Sequence, residues 1–206
     1  MGRDFIHTHF KDTAQLKALT AAIHAVRPGN PLLITVDHEG GRIQRFREGF
    51  TKLPSFRSLG ERLPQLSGAK RSSGPEATDC AALELALSEA RAAGADLAFE
   101  LKAVGVDFSY TPVLDLDYGR SEVIGDRSFH REPAFVSMLA AAMAQGLAMA
   151  GFRTCGKHFP GHGWAEADSH HALPVDDRPL DVILQDDAWP YARLGRGRLS
   201  GPYFSR

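Results

Sequence analysis

Gly151-Phe152-Arg153-Thr154-Cys155-Gly156-Lys157-His158-Phe159-Pro160-Gly161-His162-Gly163 is the stretch whose reading decides the fold. Its first six residues read as a short strand. The run from Lys157 onward, through Trp164-Ala165-Glu166-Ala167-Asp168-Ser169-His170-His171, gathers four histidines, a lysine and two acids around bending glycines and a proline. A strand that stops where titratable groups crowd together resembles the rim of an α/β enzyme, whose functional loops sit at strand ends. A surface loop that is merely rich in histidine is the plain alternative. A solvated loop, however, has no need of bulky Phe159 and Trp164 among its polar groups.

Working outward, the same pattern recurs upstream. Leu32-Leu33-Ile34-Thr35-Val36 is short, branched and almost wholly apolar, the mark of a buried strand, and it ends at Asp37-His38-Glu39-Gly40-Gly41-Arg42. Val106 to Tyr110 alternates like a strand and runs on through Thr111-Pro112-Val113-Leu114 to the acids Asp115 and Asp117. Helical periodicity fills the gaps. Asp12 can cap a helix to about Val26, with Leu16, Leu19, Ile23 and Val26 on one stripe. An alanine-rich helix is predicted from Glu76 to about Val104, with Gly94 as its weak point and Gly105 as its stop. Another is predicted from about Pro133 to Ala150, with proline in its first turn and Gly151 just past its end. A last helix should run from Pro179 to about Leu194, with Asp177 near its cap and Pro190 kinking it or ending it early. Gln44 to Pro54 reads as an irregular excursion, and residues 61–75 as a mobile loop.

Alternating helices and buried strands imply parallel strands joined by right-handed crossovers. The fold class expected is therefore α/β, a (β/α) barrel with its chemistry on the C-terminal face, although an open doubly wound sheet obeys a similar rule. Gly40-Gly41 lacks the spacing of a dinucleotide fingerprint.

Bulk properties narrow the classes. The 206 residues are 43% hydrophobic and 24% charged, with a net charge of −1, so no broad basic face for nucleic acid or a membrane surface is implied. Cys80 and Cys155 make neither a metal spacing nor a disulfide framework, which points to a reducing, cytoplasmic setting. The start lacks the apolar region of a signal peptide, and no run approaches the ~20 apolar residues of a membrane span.

Within the loop, Asp168 and His170 are two residues apart, so both side chains can face one side of an extended or turning segment. A carboxylate beside an imidazole raises its pKa and fixes its tautomer, which suits a general acid/base near neutral pH. His162, between Gly161 and Gly163, is expected to matter for backbone shape, and His171 to be a solvent neighbour. A competing set, His158, His162, Asp168 and His170, has the residue types of a zinc site but no HExxH spacing. Lys157 and His158, with Asp37, Arg45 and Arg127 from other loops, would form a polar cup offering the paired donors and acceptors that ring hydroxyls need.

These residues carry a resemblance. Val36 to Phe46, Pro112-Val113-Leu114-Asp115, Gly125-Asp126-Arg127-Ser128-Phe129, and Lys157 to Gly163 with Asp168-Ser169-His170 are similar to the bacterial cytosolic β-N-acetylhexosaminidases of glycoside hydrolase family 3, from about His9 to Leu194. The resemblance implies a TIM (β/α)8-barrel glycosidase. It would act in the cytoplasm as a monomer without cofactor, removing terminal non-reducing β-linked N-acetylglucosamine from muropeptides during cell-wall recycling. It implies His170 as acid/base and Asp168 as its partner. Asp37, Arg45, Arg127, Lys157 and His158 would hold the sugar, in a retaining, two-step mechanism. The family nucleophile, an aspartate, lies on a later strand than this chain contains, and the opening strand is missing as well. The expectation is thus an incomplete barrel over residues 1–194, followed by a basic, glycine-rich tail at 195–206 foreign to the family. Asp115 and Asp117 are expected to stabilise loops rather than to replace that nucleophile. A polypeptide of this kind would turn over slowly or not at all, or persist as a sugar-binding remnant.

Overall fold

The computed structural model describes residues 12–63, 77–167 and 173–195. Helix α1 spans Thr13–Ala25, and Asp12 caps it as expected, accepting the Gln15 amide at 2.8 Å. Its inner face differs from the predicted stripe: Leu16 and Thr20 are buried, whereas Leu19 and Val26 are exposed. The reason is a polar contact that apolar counting overlooks. The Thr20 hydroxyl donates to the Val104 carbonyl at 2.6 Å, seating α1 on the end of the third helix.

Strand β1 is only Thr35–Val36, and it pairs in parallel with β2, Phe108–Ser109. Pairing extends by single bonds, from the Asp107 amide to the Ile34 carbonyl and from the Tyr110 amide to the Val36 carbonyl. Leu32 and Leu33 lie outside the ladder, and Leu33 is 74% exposed, so the buried strand expected over 32–36 is buried only in part. No strand pairs with the other side of β1 among the described residues. The third predicted strand is present as bridges: Arg153 opposite Phe108 and Lys157 opposite Val113, both parallel. Three strand segments, consecutive in the chain, thus lie side by side and point the same way.

Helix α2, Phe56–Gly60, comes after the excursion, whose path is fixed by Gln44: its amide donates to the Phe46 and Thr51 carbonyls and its oxygen accepts the Leu53 amide. Helices α3, Ala77–Ala103, and α4, Pro133–Met149, cross over between the strands. On α3 the buried Ala86, Ala90, Ala93, Leu97 and Leu101 form one helical face; on α4 Val136, Leu139, Ala140, Met143 and Leu147 answer it. Each wholly buried Leu or Met here contributes about 1.5–3 kcal/mol of transfer free energy. Gly94 is not a weak point in α3. A Cβ there would stand 2.3 Å from the Met143 carbonyl oxygen, and one on Gly146 would stand 2.0 Å from that of Arg91. The two glycines let the helix backbones approach, which offsets their poor helix propensity of about 1 kcal/mol each.

The last predicted helix is two helices, α5 at Leu180–Gln185 and α6 at Trp189–Gly195, and Pro190 falls in the first turn of α6, where a missing amide costs nothing. Pro179 occupies the cap position of α5, and Asp177 instead accepts the indole N–H of Trp164 at 3.0 Å. Residues 64–76, most of the predicted mobile loop, and residues 196–206 of the predicted tail lie outside the described residues. No helix among the described residues is long and apolar enough to cross a membrane.

Candidate active site

All three strand segments deliver charge to one place. Asp37 and Glu39 come directly after β1, Asp115 and Arg127 after the second segment, and Lys157 and His158 end the third. The Lys157 ammonium is 2.6 Å from an Asp37 oxygen and also bonds Glu39. Arg127 grips Glu39 with a fork, Nε to Oε2 at 2.9 Å and Nη2 to Oε1 at 2.8 Å. Asp115 closes the cluster from below. One oxygen is 2.6 Å from His158 Nδ1, while the other accepts the backbone amides of His158 (3.3 Å) and His162 (2.7 Å).

Exposure sorts these groups into two layers. The Lys157, Glu39, Arg127 and Asp115 side chains are 5%, 2%, 11% and 0% exposed, whereas those of Asp37 and His158 are 39% and 36% exposed. Asp37 and His158 are what an incoming molecule meets; the others hold them. Lys157 suits hydroxyls or anionic groups, and two carboxylates of the chain occupy it, leaving it one N–H to offer.

Burial alone would raise the carboxyl pKa values, yet the cations beside them reverse that. Lys157 holds Asp37 below the usual carboxylate range, Arg127 and Lys157 do so for Glu39, and the bonds from His158 and His162 do so for Asp115. Burial works the other way for His38. Its ring packs against Phe46 and Phe50, which also touch each other, with Arg45 and Arg47 nearby, and its pKa falls to about 4.

Arg45 is exposed, its charge reaches Asp37 through space, and it has no bonded partner among the described residues. Asp168, His170 and His171 lie outside the described residues. Around His162 the glycines do serve backbone shape, since a Cβ on Gly163 would fall 1.8 Å from the Leu116 carbonyl oxygen. Both ring nitrogens of His162 are buried and have no hydrogen-bond partner among the described residues. The metal alternative drew on His158, His162, Asp168 and His170. Among the described residues no three of His, Cys, Asp or Glu are grouped to hold an ion.

Sequence reasoning missed Glu39 and the use of Asp115. Glu39 had a signal, being an acid within a strand-end cluster. Asp115 had only its position at a strand end, and it stabilises the adjoining loop as expected while also reaching an imidazole. Also missed was a stack beside the cup. Arg120, Trp164, Arg178, Tyr118 and Arg131 alternate as cation and ring, with guanidinium carbons 4.0–4.7 Å from ring centroids. Arg178 also pairs with Asp176 and with buried Asp187, fastening the segment that leads into α5.

Such a convergence of buried ion pairs at parallel strand ends is the build of an α/β enzyme site, with two polar groups left to face a ligand. The glycosyl hydrolase family 3 N terminal domain matches residues 4–195, and the chain belongs to that family. It is 57% identical over 188 residues to the "Beta-hexosaminidase" of Bordetella avium (strain 197N), a match covering 91% of this chain and 49% of that protein. It resembles the crystal structure of NagZ from Neisseria gonorrhoeae in complex with N-trifluoroacetyl-D-glucosamine, with a TM-score of 0.80 and 47% identity, over 92% of this chain and 51% of that one. It also resembles a glycoside hydrolase family 3 beta-N-acetylglucosaminidase from Paenibacillus sp. str. FPU-7, with a TM-score of 0.77 and 29% identity, over 94% of this chain and 34% of that one. The chain spans about half the length of the curated relatives it matches.

Proposed function

We propose that the chain carries the sugar-recognising part of a cytoplasmic, monomeric β-N-acetylhexosaminidase that releases terminal N-acetylglucosamine from muropeptides. The observation that carries this is the cup itself. Asp37 and His158 present polar atoms to the outside, and Lys157, Glu39, Arg127 and Asp115 fix them in place from beneath. A saccharide ring offers hydroxyls that both donate and accept, and a rigid array of polar groups binds it without a large entropic cost. Two relatives support the sugar assignment: one named a beta-hexosaminidase, the other a NagZ with an N-acylated glucosamine bound. Arg45 would add charge at the rim.

The fold proposed is a (β/α)8 barrel of which residues 1–194 form part. Consecutive parallel strand segments with helices between them accord with it, as does chemistry gathered at their C-terminal ends. In a retaining mechanism, His170, paired with Asp168, protonates the leaving oxygen while a carboxylate attacks the anomeric carbon. The same histidine then takes a proton from the water that hydrolyses the glycosyl-enzyme. Among the described residues the cup's acids are all engaged, Glu39 with Arg127 and Lys157, Asp115 with His158, and Asp37 with Lys157. The nucleophile we propose is an aspartate outside this set, as the family resemblance implies.

The test pairs calorimetry with turnover. N-acetylglucosamine titrated into the 206-residue chain should bind saturably, while an aryl β-N-acetylglucosaminide should release its chromophore slowly or not at all. Absence of both binding and turnover would overturn the sugar assignment. Turnover at ordinary enzymatic rates would overturn the assignment of the nucleophile.

A further inference from the structure

We propose that Asp115 is a positioning residue that fixes His158 in the tautomer with its proton on Nδ1, so that Nε2 enters the cup as a hydrogen-bond acceptor and reads a hydroxyl proton of the sugar. The inference rests on the sugar-binding role of the cup and adds the direction of one of its bonds.

Two neighbours on opposite sides of the ring impose the same tautomer. Asp115 is wholly buried, and the imidazole and two backbone N–H groups around it hold its carboxyl below the usual carboxylate range, so it is an ionised carboxylate that can only accept. At 2.6 Å, His158 Nδ1 must therefore carry the hydrogen. On the far side, Nε2 is 3.4 Å from Arg127 Nη2. A guanidinium has N–H groups and no lone pair to offer, so a hydrogen on Nε2 would face another hydrogen beside a full positive charge. A lone pair on Nε2 is attracted instead.

Arg127 cannot turn away to relieve a wrong tautomer. Its fork is spent on Glu39, and Nη1 donates to the Val123 carbonyl at 3.0 Å. The contact to Nε2 is long, so the lone pair remains available to a better donor. The accessible groups of the cup are then both acceptors, His158 Nε2 and the Asp37 carboxylate, with the spare Lys157 N–H behind them. A ligand must bring hydroxyl hydrogens to both. That requirement favours a sugar ring with free hydroxyls over an anion.

The assignment is read directly from the ring nitrogens of His158 in the 15N-labelled 206-residue chain without ligand. The expected spectrum at about pH 7.5 shows a protonated Nδ1 and a bare Nε2. A hydrogen on Nε2, in either the other tautomer or the imidazolium, would overturn the proposal. In Asp115→Asn an amide N–H can face Nδ1, and the expected result is a switch of the proton to Nε2 with weaker N-acetylglucosamine binding. Retention of the original tautomer there would show that Asp115 does not set it.

Should that variant fail to fold, the wild-type spectrum still decides, together with monofluoro N-acetylglucosamines in which one ring hydroxyl at a time is replaced by fluorine. Fluorine cannot donate, so at least one analogue should lose about tenfold or more in affinity. Equal affinity for every analogue would contradict a hydroxyl donated to the cup. The expected tautomer with no sugar binding at all would leave the role of Asp115 standing and overturn the function instead.

Discussion

Acidifying the protein from about pH 7.5 to about pH 4.5 should destabilise it by roughly 2.5 kcal/mol through His38 alone. His38 is 1% exposed, packs against the mutually touching Phe46 and Phe50 with centroids 5.6 and 6.0 Å away, and has no partner for Nδ1 among the described residues. Burial first, then the charges of Arg45 and Arg47, lower its pKa from 6.5 to about 4, against a smaller opposing pull from Glu39. Because the folded value is the lower one, the unfolded chain binds the proton more readily. The contribution of neutral His38 is complete above about pH 6.5 and declines as pH falls toward about 4. Down to about pH 4.5 that window covers about two pH units at about 1.4 kcal/mol each. His130, also lowered by burial, adds to the loss in the same direction. Urea midpoints of the wild type and of His38→Phe at both pH values isolate the effect of His38. The wild type should lose roughly 2.5 kcal/mol more than the variant. Equal losses, within about 0.5 kcal/mol, would refute the reasoning, because His38 would then titrate as it does in the unfolded chain.

Glu39→Gln removes the anion shared by Arg127 and Lys157, leaving buried cations short of a partner. It should destabilise the fold by about 3–5 kcal/mol in urea denaturation and abolish binding of N-acetylglucosamine by calorimetry. Gly146→Ala adds a methyl 2.0 Å from the Arg91 carbonyl, so it should lower stability by about 1–3 kcal/mol despite the better helix propensity; Gly29→Ala, with nothing within 4 Å, should be near neutral in the same assay. Thr20→Val removes the hydroxyl bonded to the Val104 carbonyl and should cost about 1–3 kcal/mol by thermal denaturation. Below about pH 4 a second loss should appear in acid titrations monitored by circular dichroism. The lowered carboxyls of Asp37, Glu39 and Asp115 contribute stability above their ordinary values and give it up as pH falls through the depressed ones.

Much of the fold was legible because its strongest signals are local. The α4 helix is marked by Pro133 and Gly151 at its ends, and α1 by Asp12 at its cap, both set by residues adjacent in sequence. What escaped depended on partners far along the chain. Gly94 read as a weakness because its cause, the Met143 carbonyl, lies on another helix. Leu33 read as core because apolarity does not reveal which side of a strand is covered. At the site, the residue types at the strand ends marked Asp37, Arg127, Lys157 and His158 as neighbours, and they are. Their ranking as outer or inner groups was not legible, since it depends on how deeply Glu39 and Asp115 are buried. Arg45 fits the same limit: its sequence neighbourhood marked it, but its side chain stays in solvent.

A titration of the 15N-labelled chain with N-acetylglucosamine, monitored amide by amide, tests the sugar-recognising cup most directly. Saturable shifts concentrated at Asp37, Glu39, Arg127 and His158, with the amides of α1 unmoved, are the predicted result. No shift at saturating sugar, or shifts confined to residues away from these strand ends, would contradict it.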